Sequence, residues 1–318
     1  MVNAIVAGAP RLGAILFAGV AAALGALWVL ALVREARLRR SRTPPGRLLG
    51  ARGRRIHAVE RPGADPAVVF IHGNPGCALD FAGVQERLGG RRSFAVDRPG
   101  SGWSEREWAA LSPQVQARRI RLALREAGAR DVVLAGFSFG GPVAVAWALE
   151  FPEEVKAMAL LAPVGDPASP MEVDGAQAML AWPVWGLVAS WTFAPAVFPL
   201  AAPGGWAKAF APLPVNAEAA AAASPLIGRP GCLWCTAQDW KALPAAFGEL
   251  AAGYGRIRAP VEILAASEDR VVGPSHAQAL ARGIPGANLK VIPGAGHQLM
   301  HTHPDEVVAA VARAVARI

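Results

Sequence analysis

Apolar residues along this chain fall into two kinds of run. One is a single stretch, LGAILFAGVAAALGALWVLALV (Leu12 to Val33), of 22 residues without a charge. As a helix it would be about 33 Å long, enough for a hydrocarbon core of roughly 30 Å. The other kind is short and β-branched, and most of these runs end in a glycine- or proline-rich loop. RRIHAVE, before the turn RPGADP, reads as an antiparallel strand. AVVFIHGNPG, RRSFAVDRPGSGWS, DVVLAGFSFGG, VKAMALLAPV, APVEILAASED and NLKVIPGAGH follow in order. Runs this short and this apolar are strands buried on both faces. Helical spacing fills most of the intervals, so the pattern predicts an α/β fold: a mostly parallel sheet with helices on both faces. SRTPPGRLLGARG (Ser41 to Gly53) reads as a linker giving way to a first short strand. Between Pro163 and Pro260 the alternation stops, and a segment rich in alanine, proline and tryptophan reads as a helical cap inserted at about residues 165–258.

Charge changes the picture at one end only. The chain of 318 residues has a net charge of +8, and residues 1–55, with ten arginines and one glutamate, account for all of it. The folded body is therefore close to neutral, which argues against a nucleic-acid-binding face. Arg34, Arg37, Arg39, Arg40 and Arg42 follow the long apolar run, while only Arg11 precedes it. A cleaved signal peptide has a shorter apolar region and a small-residue cleavage site where these arginines stand. The reading is an uncleaved anchor and basic linker over residues 1–45, with the lipid bilayer as partner through residues 12–33. The arginines place the domain of residues 46–318 in the cytoplasm. Three cysteines give no disulfide framework. Cys232 and Cys235, in CLWC, cannot complete a four-cysteine zinc site, so their spacing reads as chance. No metal or cofactor is expected.

The chemistry concentrates at the ends of the strand runs. In AGFSFGGP (Ala135 to Pro142), Ser138 sits between a buried strand and a helix, with Gly136 and Gly140 two places either side. A chain that turns so sharply leaves no room for side chains there, and the residue at the bend has a strained backbone and an exposed side chain. A nucleophilic serine also needs a base, an orienting acid and two amides aimed at one oxygen. His297, on the glycine-rich loop IPGAGHQLM, is the candidate base; His57, His72, His276, His301 and His303 fit structural or solvated roles better. Asp269, just past the fifth run of the parallel series, is the candidate acid, with Asp166 as rival. Phe139 and Asn74 are placed to offer the two amides. Six of the ten tryptophans lie in the cap, and Trp182, Trp185 and Trp191 are expected to line an apolar substrate site.

HGNPG (72–76), DRPGSGWS (97–104), GFSFGG (136–141), ASEDRVVGP (266–274) and GAGH (294–297) together resemble the α/β-hydrolase superfamily, over about residues 46–318. The resemblance implies Ser138 as nucleophile, Asp269 as acid, His297 as base and an oxyanion hole at Asn74 and Phe139. HGNP resembles haloalkane dehalogenases too. Those, like the epoxide hydrolases, carry aspartate at the elbow, where this chain has serine. The activity implied is cleavage of an apolar carboxylic ester through an acyl-enzyme, resembling esterases, lipases and cofactor-free haloperoxidases. Three readings stand beside it. A carbon–carbon bond hydrolase also keeps the serine. A proline-iminopeptidase-like peptidase would need a buried acid in the cap, for which Glu172, Asp174, Glu218 and Asp239 are candidates. A non-catalytic binding module would be expected to lose a triad member.

Overall fold

A computed structural model describes residues 2–169 and 175–318, with side chains from residue 14 onward. Eight strands form one sheet: β1 (Arg47–Leu49), β2 (Ile56–Arg61), β3 (Ala64–Ile71), β4 (Arg91–Val96), β5 (Val132–Phe137), β6 (Val155–Leu161), β7 (Val261–Ala266) and β8 (Asn288–Ile292). Their order is β1-β2-β4-β3-β5-β6-β7-β8. β1 and β2 are antiparallel to their neighbours, and every pairing from β4 to β8 is parallel. Each of the short apolar runs is a strand, and the architecture is the α/β-hydrolase fold. The strand interior explains why those runs lack polar alternation. Val69, Ile71 and Leu134 face one apolar layer, while Val68, Phe70, Val133 and Ala135 face the other.

The helices that cover the sheet are short. After a long N-terminal helix, α1 (Val2–Ser41), come α2 (Ala82–Arg87), α3 (Pro113–Glu126) and α4 (Gly140–Glu150). Between β6 and β7 the chain leaves the sheet and forms α5 (Gly175–Leu180), α6 (Pro183–Trp191), α7 (Ala194–Phe210), α8 (Ala217–Ile227) and α9 (Pro230–Gly253). α10 (Pro274–Gly283), α11 (Leu299–Thr302) and α12 (Pro304–Val315) complete the domain. Ser112 and Pro113 start α3 as expected of an N-cap and first position: the serine side chain accepts from Val115 N–H.

α1 differs from the expected anchor-plus-linker in one respect. The helix does not stop at the end of the apolar run but carries the arginines on to Ser41. An 18-residue window within Ala14–Ser41 has a mean hydropathy of 2.4 and is only 6% buried, so the helix is long and apolar enough to cross a membrane. Its last turns are held by the body of the protein. Glu35 forms a two-pronged ion pair with Arg229 (2.9 and 2.6 Å). Arg42 donates to the Ala222 carbonyl (2.9 Å), and Leu38 packs on the small cluster of Leu226 and Ile227. These contacts with distant residues hold the basic tract in regular helix, where its composition alone suggested a linker.

The tightest passage of the backbone is where α4 begins. A Cβ on Gly136 would stand 2.6 Å from the Gly140 carbonyl, and one on Gly140 would run into the Ile71 carbonyl of β3. Gly140→Ala must therefore push the start of α4 off the sheet. It should lower the unfolding free energy by about 1–3 kcal/mol, the usual range for overpacking. A shift of the urea midpoint checks this, with Gly204→Ala, inside α7 and with nothing within 4 Å of the new Cβ, as the control that should leave stability unchanged or raise it by up to about 1 kcal/mol.

Candidate active site

β5 runs into α4 with Ser138 at the corner. Its φ of +52° lies in the left-handed region, a conformation that costs a non-glycine residue on the order of 1–3 kcal/mol. Three hydrogen bonds impose it. Ser138 N–H donates to Leu161 O (2.9 Å), and Ser138 O accepts from Gly141 N–H (3.0 Å) and Val164 N–H (3.1 Å). Two of the three partners belong to the end of β6 and the loop beyond it, so the neighbouring strand fixes the bend. The side chain is not exposed, as the bend alone suggested, but 3% accessible. The HGNPG loop presses on it: a Cβ at Gly73 would be 2.9 Å from Ser138 Cβ.

Asp269 and His297 are brought together by the loops after β7 and β8. His297 Nδ1 lies 2.6 Å from Asp269 Oδ2. The other carboxylate oxygen accepts from Val271 and Val272 N–H, both at 2.8 Å. Asp269 is acceptor-only when ionised, so Nδ1 is assigned as the protonated nitrogen and Nε2 is left as the acceptor. Glu268 N–H donates to Ala295 O (3.0 Å), tying the two loops to each other. The Phe137 ring, adjacent to Ser138 in sequence, lies against the imidazole with centroids 4.7 Å apart. Asp166 is held elsewhere. Its carboxylate accepts from Ser169 hydroxyl (2.6 Å) and Ala168 N–H (2.9 Å) within its own turn. Two other histidines are engaged away from this pair: His57 with Asp97 (2.7 Å), and His276 Nδ1 as acceptor for Asp166 N–H (2.9 Å).

The two amides expected at the oxyanion hole belong to Asn74 and Phe139. Among the described residues neither donates to a backbone acceptor. Asn74 holds its position through its side chain, which donates to Thr236 O in α9 (3.0 Å). Phe139 is packed between Trp240 of α9, edge-on at 5.2 Å, and the Arg98 guanidinium 4.6 Å from its ring centre.

Arg98 is the residue that sequence reasoning passed over, although it stands inside DRPGSGWS. It is fully buried and pairs with Asp239 of α9 (2.6 Å). It also donates to Gln116 (2.8 Å) and to the Gly73 carbonyl (3.0 Å). The same carbonyl accepts from His72 Nδ1 at 2.7 Å, while His72 Nε2 accepts from Arg98 N–H at 2.9 Å. That arrangement needs a neutral imidazole. Burial, and next the charge of Arg98, push the His72 pKa down to about 3. Gly73 O and Asn74 N–H belong to one peptide unit and point opposite ways when it is trans. Two donors on the carbonyl therefore aim the amide and strengthen it as a donor.

Asp239 is thus consumed, since Arg106 takes its other oxygen (2.5 Å). Glu218 is exposed in the first turn of α8, and Glu172 and Asp174 lie outside the described residues. The cap tryptophans are not gathered round Ser138. Trp182 and Trp185 are 67% and 47% exposed. Trp191 lines a cavity of about 520 Å³ with Arg39, Trp103, Arg106, Trp108 and Trp234. A second cavity, of about 450 Å³, lies between Trp182 and Trp240. Neither is lined by Ser138, Asp269 or His297. Cys232 and Cys235 are free and buried in α9, where burial pushes the Cys235 thiol up to about 12. Among the described residues no three histidine, cysteine or acidic side chains are grouped to hold a metal.

This combination of sheet order, strained elbow and Asp–His pair defines an α/β-hydrolase. The chain belongs to the alpha/beta hydrolase family, whose model matches residues 68–310. A haloalkane dehalogenase of Agrobacterium fabrum (strain C58 / ATCC 33970) is 32% identical over 113 residues, 35% of this chain and 37% of the dehalogenase. An esterase from Exiguobacterium antarcticum superposes with a TM-score of 0.70 at 19% identity, over 85% of this chain and 99% of its own. The structure of a membrane phospholipase A, described as a bacterial virulence factor, superposes with a TM-score of 0.64 at 22% identity, over 96% of this chain and 97% of its own.

The His72 arrangement sets a pH limit. Its folded-state pKa is below the ordinary value of 6.5, so it contributes stability that is present above pH 6.5. That stability is lost as pH falls from there towards about 3. His72→Gln should flatten the acid limb of the stability curve by up to about 1.4 kcal/mol per pH unit. Urea midpoints between pH 7 and pH 4 check it, and an unchanged slope would assign the acid limb to other groups.

Proposed function

We propose that the protein is a membrane-anchored serine hydrolase that cleaves an apolar carboxylic ester. The observation that carries the reading is the 2.6 Å Asp269–His297 pair, whose imidazole packs on Phe137, the residue before a serine held at positive φ. In this reading Ser138 Oγ attacks the ester carbonyl carbon while His297 Nε2 takes the hydroxyl proton. The carbonyl electron pair moves onto oxygen, which the Asn74 and Phe139 amides receive. Collapse expels the alcohol, protonated by His297, and leaves Ser138 acylated. Water repeats the sequence and releases the carboxylic acid. Asp269 keeps Nδ1 protonated and stabilises the imidazolium. Arg98 and His72 act on the oxyanion through the Gly73–Asn74 peptide.

The similarity to an esterase and to a membrane phospholipase A supports ester cleavage, and serine at the elbow separates the chain from the dehalogenase chemistry of its relative. The peptidase reading loses ground because Asp239, the buried cap acid, is already neutralised by two arginines. A full set of triad side chains speaks against an idle binding module.

A fluorophosphonate should label the wild type and not Ser138→Ala. Asp269→Asn should lower kcat by about 10⁴ through the wrong imidazole tautomer, and Asp166→Asn should do far less. Labelling that persists in Ser138→Ala, or the reverse ranking of the two asparagine variants, overturns the assignment. With p-nitrophenyl esters, kcat/KM should rise from acetyl towards medium chains by up to about fourfold per buried methylene. A preference for acetate, or hydrolysis of aminoacyl amides alone, contradicts the apolar ester.

The arginines after the apolar run favour a single pass with the catalytic domain cytoplasmic. Alkaline carbonate should fail to extract the protein, and a C-terminal fusion to alkaline phosphatase, which needs an oxidising compartment, should be inactive. An active fusion reverses the orientation.

A further inference from the structure

From Gly175 to Ala207 the chain carries no charged residue. A surface of a soluble domain would bury so apolar a segment, yet much of this one is bare. Val184, Leu200 and Val197 are 76%, 83% and 51% exposed, in addition to Trp182 and Trp185. Exposed apolar residues taken singly need no explanation. These are grouped on two consecutive helices, α6 and α7, which meet at 83°.

The position of the pair relative to α1 identifies what covers it. α1 packs on both α6 and α7. Arg34 is the first charge after the apolar run and so marks where the bilayer core gives way to headgroups. Its guanidinium donates to the Pro195 carbonyl in the first turn of α7 (3.2 Å). Ala31, three residues earlier and about 4.5 Å further into the core by helix rise, is 2% exposed. The cap therefore reaches the level of the hydrocarbon boundary. Glu35–Arg229 and Arg42–Ala222 attach α1 to the cap on the aqueous side of that level. Trp182 and Trp185, amphipathic rings with an apolar body and one N–H, suit this depth.

We propose that α6 and α7 form a second, in-plane membrane contact: their exposed apolar face beds into the headgroup–acyl boundary of the leaflet from which α1 emerges. The partner is a phospholipid bilayer with anionic headgroups, which the arginines at 34–42 attract by about 1 kcal/mol each near such a surface. The cap would then lie against the membrane rather than hang from it, and an ester could pass from lipid to the site without crossing water. The proposal rests on α1 spanning the bilayer, and its test separates the two.

The full chain, carrying an NBD label on a single introduced cysteine, is reconstituted in phosphatidylcholine–phosphatidylglycerol vesicles; the three native cysteines are buried and the unsubstituted protein measures background. Three positions are compared: Val20→Cys in α1, Leu200→Cys in α7 and Leu122→Cys on α3, all exposed. Doxyl-labelled lipids should quench the label at 20 and at 200 and leave 122 unchanged, with blue-shifted emission at 200. Quenching at 20 without quenching at 200 overturns the cap contact and leaves the anchor standing. No quenching at 20 overturns the anchor, and the cap proposal with it. A second variant, Leu200→Asp at a position with no packing to lose, should lower turnover of a vesicle-borne ester several-fold and leave a water-soluble short ester unaffected. An equal loss on both substrates counts against the membrane role.

Discussion

The backbone of Ser138 is the constraint on which the site depends. A non-glycine residue at φ +52° would relax if it could, and three hydrogen bonds to Leu161, Gly141 and Val164 deny it the room. The penalty is met by the parallel pairing of β5 with β6, whose register carries on to Phe137 opposite Leu161. The elbow is therefore a property of the sheet rather than of the five residues around the serine. The same corner explains the glycines: the HGNPG loop, the start of α4 and the serine occupy a space in which added Cβ atoms collide with main chain or with each other.

A buried ion pair transmits the cap's position to this corner. Arg98 and Asp239 are almost fully excluded from water, where an unpaired charge is strongly destabilising. Removing Asp239 would strand Arg98 and Arg106 together, while Asp239 without Arg98 would still keep Arg106, so the loop after β4 and helix α9 must stay in register. Arg98 reaches the Gly73 carbonyl and the Phe139 ring from that anchored position. Both amides expected to receive an oxyanion are thus set by one side chain that touches neither. Asn74, bonded to Thr236 of α9, adds a second tie between cap and loop.

The cap has two unlike surfaces. Its inner side supplies the polar and aromatic partners of Arg98, Asn74 and Phe139. Its outer side, on α6 and on α7 up to Ala207, carries no charged residue and is largely open. The basic end of α1 is clamped to the same cap by Glu35–Arg229. The end of α1 and the cap therefore form one packed unit, where the composition suggested a basic linker.

What could be read from the chain alone were features with a local cause. Strands buried on both faces must be apolar throughout, so most of the runs announced themselves, and so did the parallel arrangement of all but the first. A strand-to-helix corner admits little beyond glycine at its flanks, so Ser138 was legible. Asp269 and His297 were legible because each follows a strand at the edge where loops converge, and the structure brings them within 2.6 Å. The cap was legible only as an interruption. Which face of it turns inward depends on contacts such as Arg98–Asp239, 141 residues apart, and Glu35–Arg229, 194 apart. Trp182 and Trp185 were expected inside and lie outside for that reason: an uncharged aromatic helix has no hydrophilic stripe to mark its outer face, so its orientation is decided by what packs against it. The same holds for Arg98, whose charge in a glycine-rich loop suggests solvent until Asp239 arrives from another element to neutralise it.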